Sequence, residues 1–174
     1  MELNYQNFIM SKIHQLQIQI TVFETENELS KKDLSLLNEA RAATKRAYAP
    51  YSEFSVGAAI QLQNGEVVLG SNQENAAYPS GLCAERTAIF SASTQFPNEI
   101  IETIAIAAKP QKATDFIAIS PCGSCRQVMS EYENKQEKPI RMIMEGNNKS
   151  IYVIHSIADL LPLKFSKNSL KNIT

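Results

Sequence analysis

All three cysteines of this chain fall in two short motifs, Cys83-Ala84-Glu85-Arg86 and Pro121-Cys122-Gly123-Ser124-Cys125-Arg126. No other feature constrains the fold as strongly. Cys122 and Cys125 are three residues apart, so at the start of a helix both side chains can converge on one ion. Cys83 must then approach from a second helix on the other side. Both helix starts would turn free amides and positive dipole ends toward the thiolates. Three thiolates can hold a zinc ion and leave its fourth position open for water, as catalytic zinc sites do. An odd cysteine count with one C-x-x-C does not suit a disulfide framework. It fits a reducing compartment and a metal or redox role.

Glu85 extends the pattern. A ligand-x-Glu followed by Pro-Cys-x-x-Cys marks zinc deaminases that act on nucleobases, with a three-cysteine variant. In that chemistry zinc-bound hydroxide attacks the carbon bearing the exocyclic amine, which is C4 of a cytosine ring. The glutamate takes the water's proton, passes it to the ring nitrogen and later protonates the departing ammonia. Three thiolate charges outweigh the two of zinc, which weakens it as a Lewis acid. Arg86 is three residues past Cys83 and is the expected donor to a thiolate, with Arg126 a second candidate. Two other readings compete. A closed structural site needs a fourth ligand, and the histidines available are His14 and His155. A thioredoxin-like dithiol leaves Cys83 and Glu85 unexplained.

Periodicity supplies the frame for these motifs. Gln17 to Phe23 alternates, with Ile18, Ile20 and Val22 on one face, and reads as a strand. Ser30 to Asp33 resembles a capping box, and Leu34, Leu37, Ala40 and Ala47 then fall on one side of a helix reaching about Ala47. Pro50 disfavours helix at Ala49. Phe54–Leu62 and Glu66–Gly70 read as paired strands around Asn64-Gly65, a type I′ hairpin signal. Helices follow from Cys83 to about Ser93 and from the second cysteine pair to about Tyr132. Thr103–Ala108, Ile140–Met144 and Ile151–His155 complete the strands. Ser156 to Leu161 reads as a short helix before Pro162, and Lys164–Thr174 as a polar tail. The expected fold is α/β: a three-layer α/β/α sandwich around a mixed sheet of about five strands.

The chain has 174 residues, about one domain, and a formal net charge of −1. A near-neutral balance argues against a nucleic-acid surface. There is no apolar run long enough to span a membrane and no basic, apolar-cored leader at Met1–Gln6. The expectation is a cytoplasmic protein that binds neither nucleic acid nor membrane.

With these residues in view, the chain resembles the small, three-cysteine, homotetrameric cytidine deaminases. The likeness runs from about Leu36 to Phe165. It includes Ala49-Pro50-Tyr51-Ser52-Glu53-Phe54-Ser55-Val56-Gly57-Ala58-Ala59, Asn72-Gln73-Glu74-Asn75-Ala76-Ala77-Tyr78-Pro79, the two cysteine motifs, and Leu160-Leu161-Pro162-Leu163-Lys164-Phe165. The resemblance implies deamination of cytidine and deoxycytidine for pyrimidine salvage, with one Zn2+ per subunit. It implies that Phe54 stacks on the pyrimidine and that Asn72 and Glu74 bind the ribose 3′-hydroxyl. The backbone at Ala84 and Ser120 would touch the base edge. Ala76, Tyr78 and Phe165 would reach a neighbouring subunit's site in a homotetramer with composite active sites. By residue type alone, Phe54 would be core, Asn72 and Glu74 solvated turn residues, and Phe165 an anchor for its own tail. The family core begins near Lys31. Residues 1–30 are therefore an extension with one strand and 31–174 the deaminase domain. The segment Lys109–Phe116 is long and polar for the family, and either addition could alter access to the site.

Three other functions share some of these features. A polynucleotide-editing deaminase should carry a basic, aromatic-rich channel. A deaminase of nucleoside antibiotics shares the zinc motifs, but the Asn72 and Glu74 ribose pair favours ordinary nucleosides. A non-catalytic zinc-stabilised protein has no need of Glu85.

Overall fold

The computed structural model describes residues 12–171. Its centre is a six-stranded mixed sheet of β1 (Ile20–Phe23), β2 (Phe54–Leu62), β3 (Val67–Ser71), β4 (Ile101–Pro110), β5 (Arg141–Glu145) and β6 (Ile151–Ile154), in the order β1-β6-β5-β4-β2-β3. Only β4 and β5 run parallel. Helix α1 (Lys31–Ala43) covers one face. Helices α2 (Ala84–Gln95) and α3 (Gly123–Gln136) cover the other, and a short α4 (Lys167–Lys171) follows. The three-layer α/β/α sandwich expected from the sequence is present. Its sixth strand is β1, which pairs antiparallel with β6 at the edge of the sheet.

Side-chain periodicity sorts the layers. Leu36, Leu37 and Ala40 of α1 pack on Ala59, Ala105, Ile143 and Val153. The alternate residues Ala58, Ile60, Ile104, Ile106, Met142 and Met144 point to the opposite face and meet α2 and α3. This period-2 division of buried strands builds two cores from one sheet. On α2 the buried face includes Ala84, Ala88 and Ala92, a ridge of small residues four apart. It lies against Gly70 of β3, where an added Cβ would sit 2.4 Å from the Ala88 nitrogen and 2.5 Å from the Ala84 oxygen. Small residues on both sides thus let the first turn of α2, which carries Glu85, press onto the sheet.

Several boundaries differ from the sequence reading. The strand read over Gln17–Phe23 is ordered as β only from Ile20, because β6 offers four partner residues. Helix α1 stops at Ala43 rather than Ala47: the Thr44 hydroxyl donates to the Arg41 carbonyl at 2.7 Å, and a 3-10 turn over Thr44–Arg46 tightens the end. Ser30 caps this helix by accepting from the Asp33 amide at 3.1 Å, but Asp33 pairs with Arg141 instead of closing the box. The β2–β3 turn is not type I′, which needs φ > 0 at two residues. Only Gly65 is left-handed, at φ +94°. Gly65 N–H donates to the Leu62 carbonyl and Leu62 N–H to the Glu66 carbonyl, giving a three-residue loop with glycine at the bulge. Helix α3 continues to Gln136 and ends at Glu137 in a left-handed conformation. Residues 172–174 of the predicted tail lie outside the described residues.

The Lys109–Phe116 segment folds back beside β2 rather than over the site. Gln111 N–H donates to the Glu53 carbonyl at 2.8 Å, and Lys112 pairs with Glu53 at 3.2 Å. The Phe116 ring lies under the Arg41 guanidinium and the Lys109 ammonium, on the α1 side of the sheet.

Candidate metal centre and active site

The two helix starts meet as the motifs require. Cys83 is the N-cap of α2, Cys122 the N-cap of α3, and Cys125 sits in the first turn of α3. The Sγ atoms of Cys83 and Cys122 are 3.9 Å apart, and those of Cys122 and Cys125 3.5 Å. A tetrahedral ion with Zn–S bonds of about 2.3 Å sets its sulfurs about 3.8 Å apart, so the trio fits zinc. Among the described residues no fourth cysteine, histidine or carboxylate joins the group. His155 instead shares a hydrogen bond with Thr21 at 3.1 Å, which removes it as a structural ligand. His14 is exposed in the segment before β1.

Charge at the trio is shared unevenly. Hydrogen bonds from Cys125, Arg86 and Cys122 bring the Cys83 thiol down to about 5, against the opposing effect of burial. A hydrogen bond with Cys83 and burial both push the Cys125 pKa up. A bound cation's charge would favour its thiolate. Arg86 Nη2 donates to Cys83 Sγ at 3.7 Å. Its Nε is buried without a partner. Arg126 is turned elsewhere: Nε donates to the Pro121 carbonyl at 2.8 Å and Nη1 to the Leu160 carbonyl at 3.1 Å. It braces the Cys122 loop and does not reach a thiolate.

Glu85 is 5% exposed in the first turn of α2, and burial raises its carboxyl pKa above the usual range. It opens on a cavity of about 670 Å³ lined also by Phe54, Asn72, Glu74, Ser120, Cys83 and Cys122. Phe54 is half-buried on the cavity wall rather than in the core. Ser120 is exposed on the opposite lip. Ala84 is fully buried and forms no part of the cavity wall.

Backbone pairing beyond the hairpin brings the polar residues in. Gln73 and Leu82 exchange two hydrogen bonds, at 2.8 and 2.9 Å, which pins the approach to Cys83 beside the Asn72–Glu74 segment. Tyr48 N–H donates to the Asn72 carbonyl, and Glu74 N–H to the Tyr48 carbonyl. Asn72 accepts from Val56 N–H at 2.8 Å and donates to the Phe54 carbonyl at 2.9 Å. One amide hydrogen remains free for another partner. Glu74 accepts from the Tyr51 and Ser52 amides and from the Ser52 hydroxyl. These bonds, that from Ser52 Oγ foremost, lower its pKa. They occupy three of roughly four acceptor positions of a carboxylate, leaving room for about one more donor.

Sequence reasoning passed over Ser52 and Tyr51. Their only signal was membership of the Pro50-Tyr51-Ser52 run. The residues assigned to a neighbouring subunit are all exposed here. Tyr78 is 76% and Phe165 59% exposed. Tyr78 also lines its own chain's cavity and meets Tyr51 edge-on, with ring centroids 6.1 Å apart. Ala76 and Phe165 do not line that cavity.

Comparison with known proteins agrees with this geometry. The sequence model of the cytidine and deoxycytidylate deaminase zinc-binding region matches residues 30–138. The chain belongs to the cytidine and deoxycytidylate deaminase family. A cytidine deaminase of Halalkalibacterium halodurans is 36% identical over 137 residues, covering 79% of this chain and 96% of that protein. The crystal structure of cytidine deaminase from Burkholderia pseudomallei superposes with a TM-score of 0.63 at 38% identity, covering 79% of this chain and all of the other. A more distant family relative, blasticidin-S deaminase of Bacillus cereus, is 28% identical over 142 residues, 80% of this chain and 96% of that protein. Among the described residues no helix is long and apolar enough to cross a membrane.

Proposed function

We propose that this chain is a zinc-dependent cytidine deaminase that converts cytidine and deoxycytidine to uridine and deoxyuridine with release of ammonia, in pyrimidine salvage. One observation carries the reading: a buried glutamate and three converging thiols share a cavity with an aromatic wall and a second, hydrogen-bonded carboxylate. Cys83, Cys122 and Cys125 would hold one zinc ion per subunit, and the bound metal supplies a Lewis acid that acidifies water.

The chain's own residues do the rest. Glu85 takes a proton from the water and delivers it to the ring nitrogen beside C4. It then takes the remaining proton of the hydroxyl added at C4 and gives it to the amine, which leaves as ammonia when the C4–N bond breaks and the C4 carbonyl forms. Its raised pKa suits a group that must both take and give a proton. Phe54 stacks on the pyrimidine. Glu74, held as an anion with one acceptor position left, and the free amide hydrogen of Asn72 receive the ribose 3′-hydroxyl. A fixed polar pair of this kind disfavours free bases, because they leave it unpartnered. The backbone of Ser120 contacts the base edge. Arg86 tempers the thiolate charge.

We also infer a cytoplasmic homotetramer in which Ala76, Tyr78 and Phe165 complete a neighbour's site, supported by their exposure in the single chain. Residues 31–174 form the catalytic domain in this reading, and 1–30 an extension to it.

The test is deamination of cytidine by purified, zinc-loaded protein, followed by the absorbance change as uridine forms. Rapid turnover with about one zinc per chain is the expected result. Bound zinc without turnover of cytidine or deoxycytidine overturns the substrate assignment. Turnover of a cytosine-nucleoside antibiotic alone would move it to that class.

A further inference from the structure

Strand β1 is shorter than the pattern that builds it. From Gln15 to Phe23 the chain reads Gln-Leu-Gln-Ile-Gln-Ile-Thr-Val-Phe, with no charge and no proline. Leu16, Ile18, Ile20 and Val22 alternate with Gln15, Gln17, Gln19 and Thr21. Only Ile20–Phe23 finds a partner, along the four residues of β6. Residues 15–19 run on with no ladder, and the apolar row is open to solvent: Leu16 is 65% exposed, Ile18 49%, Ile20 41% and Val22 50%. Among the described residues nothing pairs with the outer edge of β1. Exposed edges are normally protected by lysine, proline, a bulge or shortness; β1 is short, at four residues, but its alternating segment 15–23 has no lysine and no proline. Charges stand only outside the segment, at Lys12 and Glu24.

We infer that the outer edge of β1 is an interface with a second copy of this chain, paired antiparallel about a twofold axis at Gln19. An isologous contact must be self-complementary, and the sequence meets that demand in one register. Centring on Gln19 sets Leu16 opposite Val22, Ile18 opposite Ile20, and Gln17 opposite Thr21. Every apolar residue of the row then faces another across the joint. Slipping the register by one residue sets apolar against polar positions. Slipping it by two, which puts the axis at Ile18, leaves Val22 opposite His14. The Gln19 register also brings His14 and Lys12 of one copy toward Glu24 of the other, which joins opposite charges. Two six-stranded sheets become one of twelve strands, and residues 15–19 gain the ladder they lack. The joint is small beside a standard interface of roughly 1,200–2,000 Å², so it forms in a concentration-dependent way and adds to contacts made elsewhere. The cavity lies near β2 and β3 at the far side of the sheet, so this inference does not depend on the reaction assigned there.

Sedimentation velocity of the full-length, zinc-loaded chain over a concentration series tests it against the double variant Ile18→Lys/Ile20→Lys. Charges on the apolar row block strand pairing without touching the cavity. The expected result is a largest species at least twofold heavier for the unmodified chain, with equal zinc content and equal deamination per subunit. Gln19→Cys should form a disulfide-linked dimer with glutathione disulfide. Gln17→Cys, about 13 Å from its copy in this register, should not. Equal masses at every concentration overturn the proposal; the edge is then open or covered by residues 1–11 of the same chain. A mass difference without the Gln19→Cys cross-link overturns the register.

Discussion

Two carboxylates face the same cavity from neighbouring elements, Glu85 in the first turn of α2 and Glu74 in the segment after β3, and their surroundings push them in opposite directions. Glu85 is 5% exposed, and burial raises its pKa. Glu74 is half-buried and receives three hydrogen bonds, which lower its pKa. Paired groups driven apart in this way divide the work of a site between proton transfer and fixed charge. Glu85 is suited to carry a proton, and Glu74 to stay an anion and take a hydrogen bond.

The widest separation between the two should appear on removal of each carboxylate. Glu85→Gln keeps the shape of the cavity and the three thiols but removes the proton carrier. A loss of about 10²–10⁴-fold in kcat is expected, with zinc content retained and KM little changed. Substantial turnover in this variant would remove Glu85 from proton transfer. Glu74→Gln should instead act mainly through substrate selection. Loss of this charge-assisted hydrogen bond should lower kcat/KM for cytidine by roughly tenfold or more, with little effect on turnover of free cytosine. An unchanged cytidine-to-cytosine ratio would deny Glu74 its contact with the sugar.

The sequence made one member of this pair far easier to read than the other. Glu85 lies two residues from Cys83, inside a contiguous motif whose spacing already specifies a helix start. Glu74 matters because Tyr48 and Gln73 pair across the chain and set it under Tyr51 and Ser52. No local pattern reports that return of the backbone. The same limit explains the errors elsewhere. Layer order and strand identity follow from side-chain periodicity, which is local. The length of β1 depends on how many residues β6 offers, and the end of α1 on a single Thr44 hydrogen bond. Arg86 is the expected donor and Arg126 a second candidate by nearness to a cysteine, and only Arg86 reaches a sulfur.

Arg86 sharpens the contrast from the metal side. Groups behind the metal ligands typically account for 10–100-fold in metal affinity or activity. Arg86→Ala should weaken zinc retention against a chelator by about that factor and leave the cytidine-to-cytosine ratio as it was. If retention and turnover are both unchanged, charge tempering by Arg86 is excluded.

The smallest change tests why Glu74 differs from Glu85 at all. Ser52 Oγ donates to Glu74 and also accepts from Phe54 N–H at 3.1 Å, so one hydroxyl steadies both the carboxylate and the start of β2. Ser52→Ala removes the first-ranked cause of the lowered Glu74 pKa. The carboxylate then protonates at a higher pH than before. Because the anion is the form that receives the sugar, kcat/KM for cytidine should begin to fall at a higher pH as the solution is acidified. The same shift trims stability on the acid side, since a depressed carboxylate pKa favours the folded state above its unfolded value and loses that effect as pH falls through the folded one. At neutral pH Glu74 stays ionised, and the expected loss in kcat/KM for the missing hydrogen bond is small, about fivefold. The acid limb of kcat, set by a group that Ser52 does not touch, should not move. Movement of both limbs together would mean that the two carboxylates titrate as one unit, and the division of labour between them would fall.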